Sequence, residues 1–110
     1  MKSIIITAVI VASALTGVAQ AAPKVSDNEF LQAARCRGLA SSEGLGRLDT
    51  AAIDQLLRAE GQARTLAVKA SANNKITAAQ AQGDKAQGAK KEKLLAERQE
   101  ACASWLQGVQ

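Results

Sequence analysis

Downstream of Val25, apolar side chains recur at intervals of three and four, and no stretch alternates with period two, so the pattern predicts helices and no strands. Ser26 to Glu29 read as a capping box: Ser26 accepts from the Glu29 N–H while the Glu29 carboxylate reaches back, with Val25 and Phe30 as the hydrophobic staple. A first helix is expected over about 27–40, followed by a loop over 41–47 that carries Gly44 and Gly46. Asp49 is placed to cap a second helix, with Leu48 and Ile53 as its staple, that continues to about Ala72 and stops at Asn73 and Asn74. Thr77 to Gln80 form another capping box, opening a third helix that reaches toward Leu106.

In the second helix Ile53, Leu56, Leu57, Ala63, Ala67 and Ala70 share one face, and in the third Leu94, Leu95, Ala101, Cys102, Trp105 and Val109 do. The short connection between them predicts an antiparallel pair with Leu57 near Leu94. The first helix adds Phe30, Leu31, Cys36 and Leu39 at the open end of that pair. The expected fold is all-α: a small disulfide-stapled bundle made of a long antiparallel helical hairpin plus a short N-terminal helix. Large side chains gather in a head over 25–63 and 94–110. The intervening stretch, 64–93, has only Leu66, Val68 and Ile76 as large apolar residues and reads as a thin alanine-rich arm, weakened by Gly83 and Gly88.

Residues 1–21 have the organisation of a secretory signal: Lys2, an uncharged apolar run over 4–15, and Ala19 and Ala21 at the positions a signal peptidase reads. The run is too short to cross a bilayer, for which about 20 apolar residues are needed, and cleavage after Ala21 leaves a single domain, residues 22–110, with no transmembrane segment expected. That address gives Cys36 and Cys102, the only cysteines, a common purpose. In an oxidising compartment they are expected to form one intramolecular disulfide, and a domain this small benefits from it. Phe30 and Trp105 are the only aromatic residues, and Trp105, one turn beyond Cys102, is expected to pack against the bridge.

Charge divides unevenly. Over 64–93 seven basic side chains face two acidic ones, a net of +5, whereas the rest of residues 22–110 has six basic and eight acidic, a net of −2. Lys85, Lys90, Lys91 and Lys93 therefore mark a candidate contact for an anionic surface. Glu60 and Arg64, four apart and close to the apolar face, are candidates for a polar site between helices, and Arg98, among Leu94, Leu95 and Trp105, for a ligand contact. The absence of histidine removes imidazole catalysis and imidazole metal ligation, the two cysteines form no CxxC motif, and no glycine-rich phosphate loop is present. No enzymatic activity, cofactor or metal is expected. Nucleic acid is a poor partner for a basic stretch without aromatic residues. The expectation is a periplasmic or secreted protein-binding module of chaperone, inhibitor or immunity type. The alternative is an envelope-associated factor whose basic arm contacts an anionic membrane or polysaccharide.

Overall fold

Five helices, α1 (Asp27–Ala40), α2 (Ala51–Gly61), α3 (Leu66–Lys85), α4 (Gly88–Gln99) and α5 (Ala103–Leu106), make up an all-α bundle in the computed structural model, which describes residues 25–108. The signal segment and Val109 lie outside the described residues. Helix α1 has the expected bounds because its start is set locally: Ser26 Oγ accepts from Glu29 N and Glu29 Oε1 from Ser26 N, both at 3.1 Å. Asp49 accepts the Ala51 N–H at 2.9 Å, and α2 follows immediately.

Beyond α2 the helices are divided differently from the sequence expectation. The predicted second helix breaks after Gly61, and Thr65, whose Oγ1 accepts from Val68 N at 3.2 Å, caps a new one. Helix α3 then runs straight through Asn73 and Asn74, both of which face solvent, and through the predicted start at Thr77. The predicted third helix breaks twice, at Ala86 and Gln87, where the backbone is extended, and again between Gln99 and Ala103. Ala63, Ala67 and Ala70 are consequently exposed rather than packed, because the break resets the helix phase.

The centre of the fold is α1, which packs against each of the other four helices. Helix α2 lies antiparallel to it, with Arg37 Nε donating to Asp54 Oδ1 at 2.7 Å near one end and Arg64 to Asp27 Oδ1 at 2.7 Å near the other. Helix α3 lies parallel to α1: Phe30 packs with Ala72, Gly38 faces Ile76 and Ala79, and Ser42 faces Gly83. Helix α4 returns antiparallel, bringing Glu97 to Arg35 and Cys102 to Cys36. The short helix thus forms the axis of the bundle.

Contact between α1 and α3 is close because it is made by small residues. A Cβ at Gly38 would stand 2.3 Å from the Ile76 carbonyl oxygen, and one at Gly83 would stand 2.5 Å from Ser42 Oγ. The glycine at 83, read from sequence as a weak point, is the position that lets the helix and the loop meet. Cys36 and Cys102 close the disulfide with their Cα atoms 5.4 Å apart, and Trp105 shares their core cluster with Leu39, Ile53 and Leu94.

Two outcomes test this packing. Gly38→Ala gains about 1 kcal/mol in helix propensity but must displace backbone, so a net loss of about 2 kcal/mol and a melting temperature lower by roughly 10 °C are expected. Gly61→Ala is the control: its Cβ meets only the Phe30 ring, at 3.7 Å, and it should melt at or above the parent temperature. Equal melting of the two variants would contradict the close approach. The bridge spans 66 positions, and its reduction should remove about 4 kcal/mol. A reductant is expected to lower the melting temperature and to change Trp105 emission; superimposable melts would show that the bridge adds nothing.

Candidate functional site: a cationic groove between α3 and α4

Three of the seven candidate contact residues are consumed by the fold. The Arg64 side chain is 5% exposed. It donates to Asp27 Oδ1 at 2.7 Å, to Glu60 Oε2 at 3.2 Å and to the Val25 carbonyl, and its guanidinium lies 5.1 Å from the centroid of the Phe30 ring. Glu60 and Arg64 are drawn together as the sequence implies, but their task is to fasten the end of α2 to the start of α1.

Arg98 does the corresponding work at the other end of α1. It is 8% exposed, and its guanidinium donates to the carbonyls of Leu39 at 3.3 Å, Leu45 at 2.8 Å and Gly46 at 2.6 Å. Burial pulls its pKa below the ordinary guanidinium range. The three carbonyls keep the charged form supplied with acceptors, and one of them belongs to the C-terminal turn of α1, where a cation is favoured. Neither stacking on Trp105 nor a ligand role is needed to account for this residue. Among the described residues every buried side-chain nitrogen and oxygen has a partner, so polar groups available to a ligand must be sought on the surface.

They converge where α4 folds back. On α3, Lys75, Ala78, Gln82 and Lys85 fall at intervals of three and four and share one flank. Ala86 and Gln87 are extended and Gly88 has φ of 59°, a left-handed conformation that favours glycine, and this turn carries Lys90 back toward that flank. Arg35 of α1 completes a groove of about 450 Å³ whose lining includes no acidic residue. Ala78 and Ala81 leave its floor open.

The charges in this groove differ in freedom. Arg35 is held by Glu97 (Nε to Oε2 2.6 Å, Nη2 to Oε1 2.9 Å) and donates to Gln82 Oε1 at 3.0 Å; the hydrogen bond to Glu97 raises its pKa. Lys75, Lys85 and Lys90 make no ion pair among the described residues. Asp84, the acid nearest in sequence to Lys85, is turned away: its Oδ1 accepts from Ser42 Oγ at 2.8 Å and from Gly44 N at 3.1 Å. On the other side of Lys90 a second open recess of about 470 Å³ includes Lys93, Leu94 and Glu97. Lys91 is half-buried on the same helix.

Lys85 and Lys90 line one groove with Lys75 and Arg35, Lys93 lines the adjoining recess with Lys90, and Lys91 lines neither. Lys75 becomes legible once α3 is read through Asn74, since it stands ten positions before Lys85 on the same flank. Arg35 has no sequence signal, because its place depends on how α1 and α4 cross. Comparison of the chain with protein-family models, with curated proteins and with solved structures finds no match.

The Asp84 clamp has a pH signature. Its carboxyl is held below the usual 3.8, first by the Ser42 hydroxyl and then by the Gly44 N–H. A depressed carboxylate pKa adds stability that is complete above the unfolded-state value and is lost as pH falls through the folded-state one. The melting temperature should therefore fall on acidification below about pH 4, and the decline should be shallower for Asp84→Asn. Parallel pH profiles for the two proteins would remove Asp84 as a source of acid sensitivity.

Proposed function

We propose that the protein is an exported binding protein, without chemistry of its own, that holds an anionic envelope surface against the α3–α4 face. One observation carries this reading: Lys75, Lys85 and Lys90 line a single groove that contains no carboxylate among its lining residues, and none of the three has an ion-pair partner among the described residues. Gathering cations in this way raises their mutual repulsion, which an anionic partner relieves. The disulfide fits an oxidising compartment outside the cytoplasm, in keeping with the reading of residues 1–21 as a secretory signal. No helix among the described residues is long and apolar enough to cross a membrane. The groove has no aromatic or leucine side chain, so attachment is expected by charge alone, without insertion.

Each lysine near an anionic membrane contributes about 1 kcal/mol, so four give a surface affinity that decays within a Debye length and falls steeply with salt. Residues 22–110 should co-sediment with vesicles rich in phosphatidylglycerol at low ionic strength and be released by salt. They should remain in the supernatant with phosphatidylcholine vesicles. Replacing Lys85, Lys90, Lys91 and Lys93 with Gln should weaken the association by roughly a thousandfold. Undiminished sedimentation of that variant would overturn the proposal, and retention on an acidic polysaccharide but not on vesicles would move it to a glycan surface.

A further inference from the structure

A second groove lies on the opposite flank of α3, and its character is apolar. Helices α2 and α3 both rest on α1 and leave a channel between them of about 430 Å³, at the lower end of the range for ligand pockets. The Phe30 ring forms its floor, and Leu57 and Ile76 stand on its walls. It is open because Gly61 and Ala72, which face each other across Phe30, have no side chain large enough to fill it. A Cβ at Gly61 would still be 3.7 Å from the ring. Outside its lining Leu66 is 83% exposed, and Leu66, Lys69, Asn73 and Ile76 follow one another at helical spacing along α3.

The charges around this channel identify what fits it. Its lining includes Arg58 and Lys69 and no acidic residue. By the register of the helices, Arg58 stands beside Leu57 near the level of Ile76, and Lys69 lies at the other end, beyond Gln62. The separation along α3 from Lys69 to Ile76 is about 10 Å at 1.5 Å per residue. An apolar floor between two terminal cations complements a short segment with apolar side chains in the middle and carboxylates at either end. A second copy of this chain fits poorly, since an isologous contact would bring the same two cations of each copy together.

We propose that the α2–α3 channel docks a partner protein through an apolar segment flanked by acidic residues. This site is separate from the lysine face and does not rest on the reading of that face. The probe is a short fluorescein-labelled peptide with leucine and phenylalanine at its centre and glutamate at both ends, followed by fluorescence anisotropy with the disulfide-bonded protein. Saturable binding is expected, at least tenfold tighter than for the same peptide ending in lysine. Gly61→Leu should fill the channel and weaken binding at least tenfold while the melting temperature is maintained. The double variant Arg58→Glu, Lys69→Glu should reverse the preference between the two peptides.

The variant with Gln at 85, 90, 91 and 93 should bind the acidic peptide as the parent does. Loss of binding in that variant with retention in Gly61→Leu would place the peptide on the lysine face and overturn the proposal. Absence of binding, or equal binding of the acidic and basic peptides, would overturn it as well. So would a dimer that Gly61→Leu converts to a monomer, since the occupant would then be a second copy.

Discussion

The close approach of α1 and α3 at Gly38 is the constraint on which the rest of the structure depends. Only a residue without a Cβ lets the α1 backbone come this near to the Ile76 carbonyl, and that contact lays a twenty-residue helix along a fourteen-residue one. Once α3 is in place, its end is delivered to the loop after α1, where Gly83 and Gly44 admit Ser42 and Asp84 into contact. The turn at Ala86 to Gly88 then has one direction left in which to send α4, back along α1 toward Arg35 and Cys36. Where Gly38 meets Ile76 and Ala79, and Ser42 meets Gly83, the contact is made mostly by alanine, glycine and serine. Its specificity is therefore steric: the fit is set by what is absent from the side chains.

A hub helix that short has two ends close to everything, and each end is closed by an arginine from a distant part of the chain. At the N-terminus Arg64 would be repelled by the helix dipole if it stood alone. Asp27 and Glu60 offset that, and the Val25 carbonyl and the Phe30 ring take up the remaining faces of the guanidinium. At the C-terminus the dipole favours Arg98, and its fork of donors is shared among three carbonyls that the turn of the loop leaves pointing inward. Lysine, with a single charged atom, does not span such a set. Both arginines join segments far apart in sequence, as the disulfide does, so the small core is held at its periphery as well as at its centre.

What was legible in the sequence depended on whether the cause was local. The start of α1 follows from Ser26 and Glu29, three apart, and the pairing of Cys36 with Cys102 follows from their being the only two cysteines. The breaks after Gly61 and at Ala86 were not legible. Apolar spacing continues across both, and the Thr65 cap competes with a helix that would otherwise run on. Conversely, Asn73, Asn74 and Thr77 look like punctuation but face solvent on a helix whose other side is held by α1, so their weak local preferences are overridden. Among the candidate contact residues, the lysines announced themselves by number. Glu60, Arg64 and Arg98 stood out because they interrupt apolar faces, a signal that marks a buried polar role without saying whether the partner is a ligand or the chain itself.

Helix α3 shows why a single apolar stripe is the wrong template for part of this chain. At 3.6 residues per turn, Ala72, Ala79 and Gly83 point toward α1, Lys69, Asn73 and Ile76 fall on the flank facing α2, and Lys75, Ala78, Gln82 and Lys85 fall on the flank facing α4. Three environments divide its circumference: a tight one that tolerates only small residues, an apolar one and a cationic one. Their superposition in sequence looks like low-complexity alanine, glutamine and lysine with no strong amphipathic signal. In space Ala72, Ala79 and Gly83 belong to the contact, whereas Lys75 and Lys85 lie on one side of it and Ile76, with Lys69 beyond it, on the other. The weak pattern that makes this segment look like a solubilised spacer is thus what is expected of a helix that serves as the common wall of two unlike grooves.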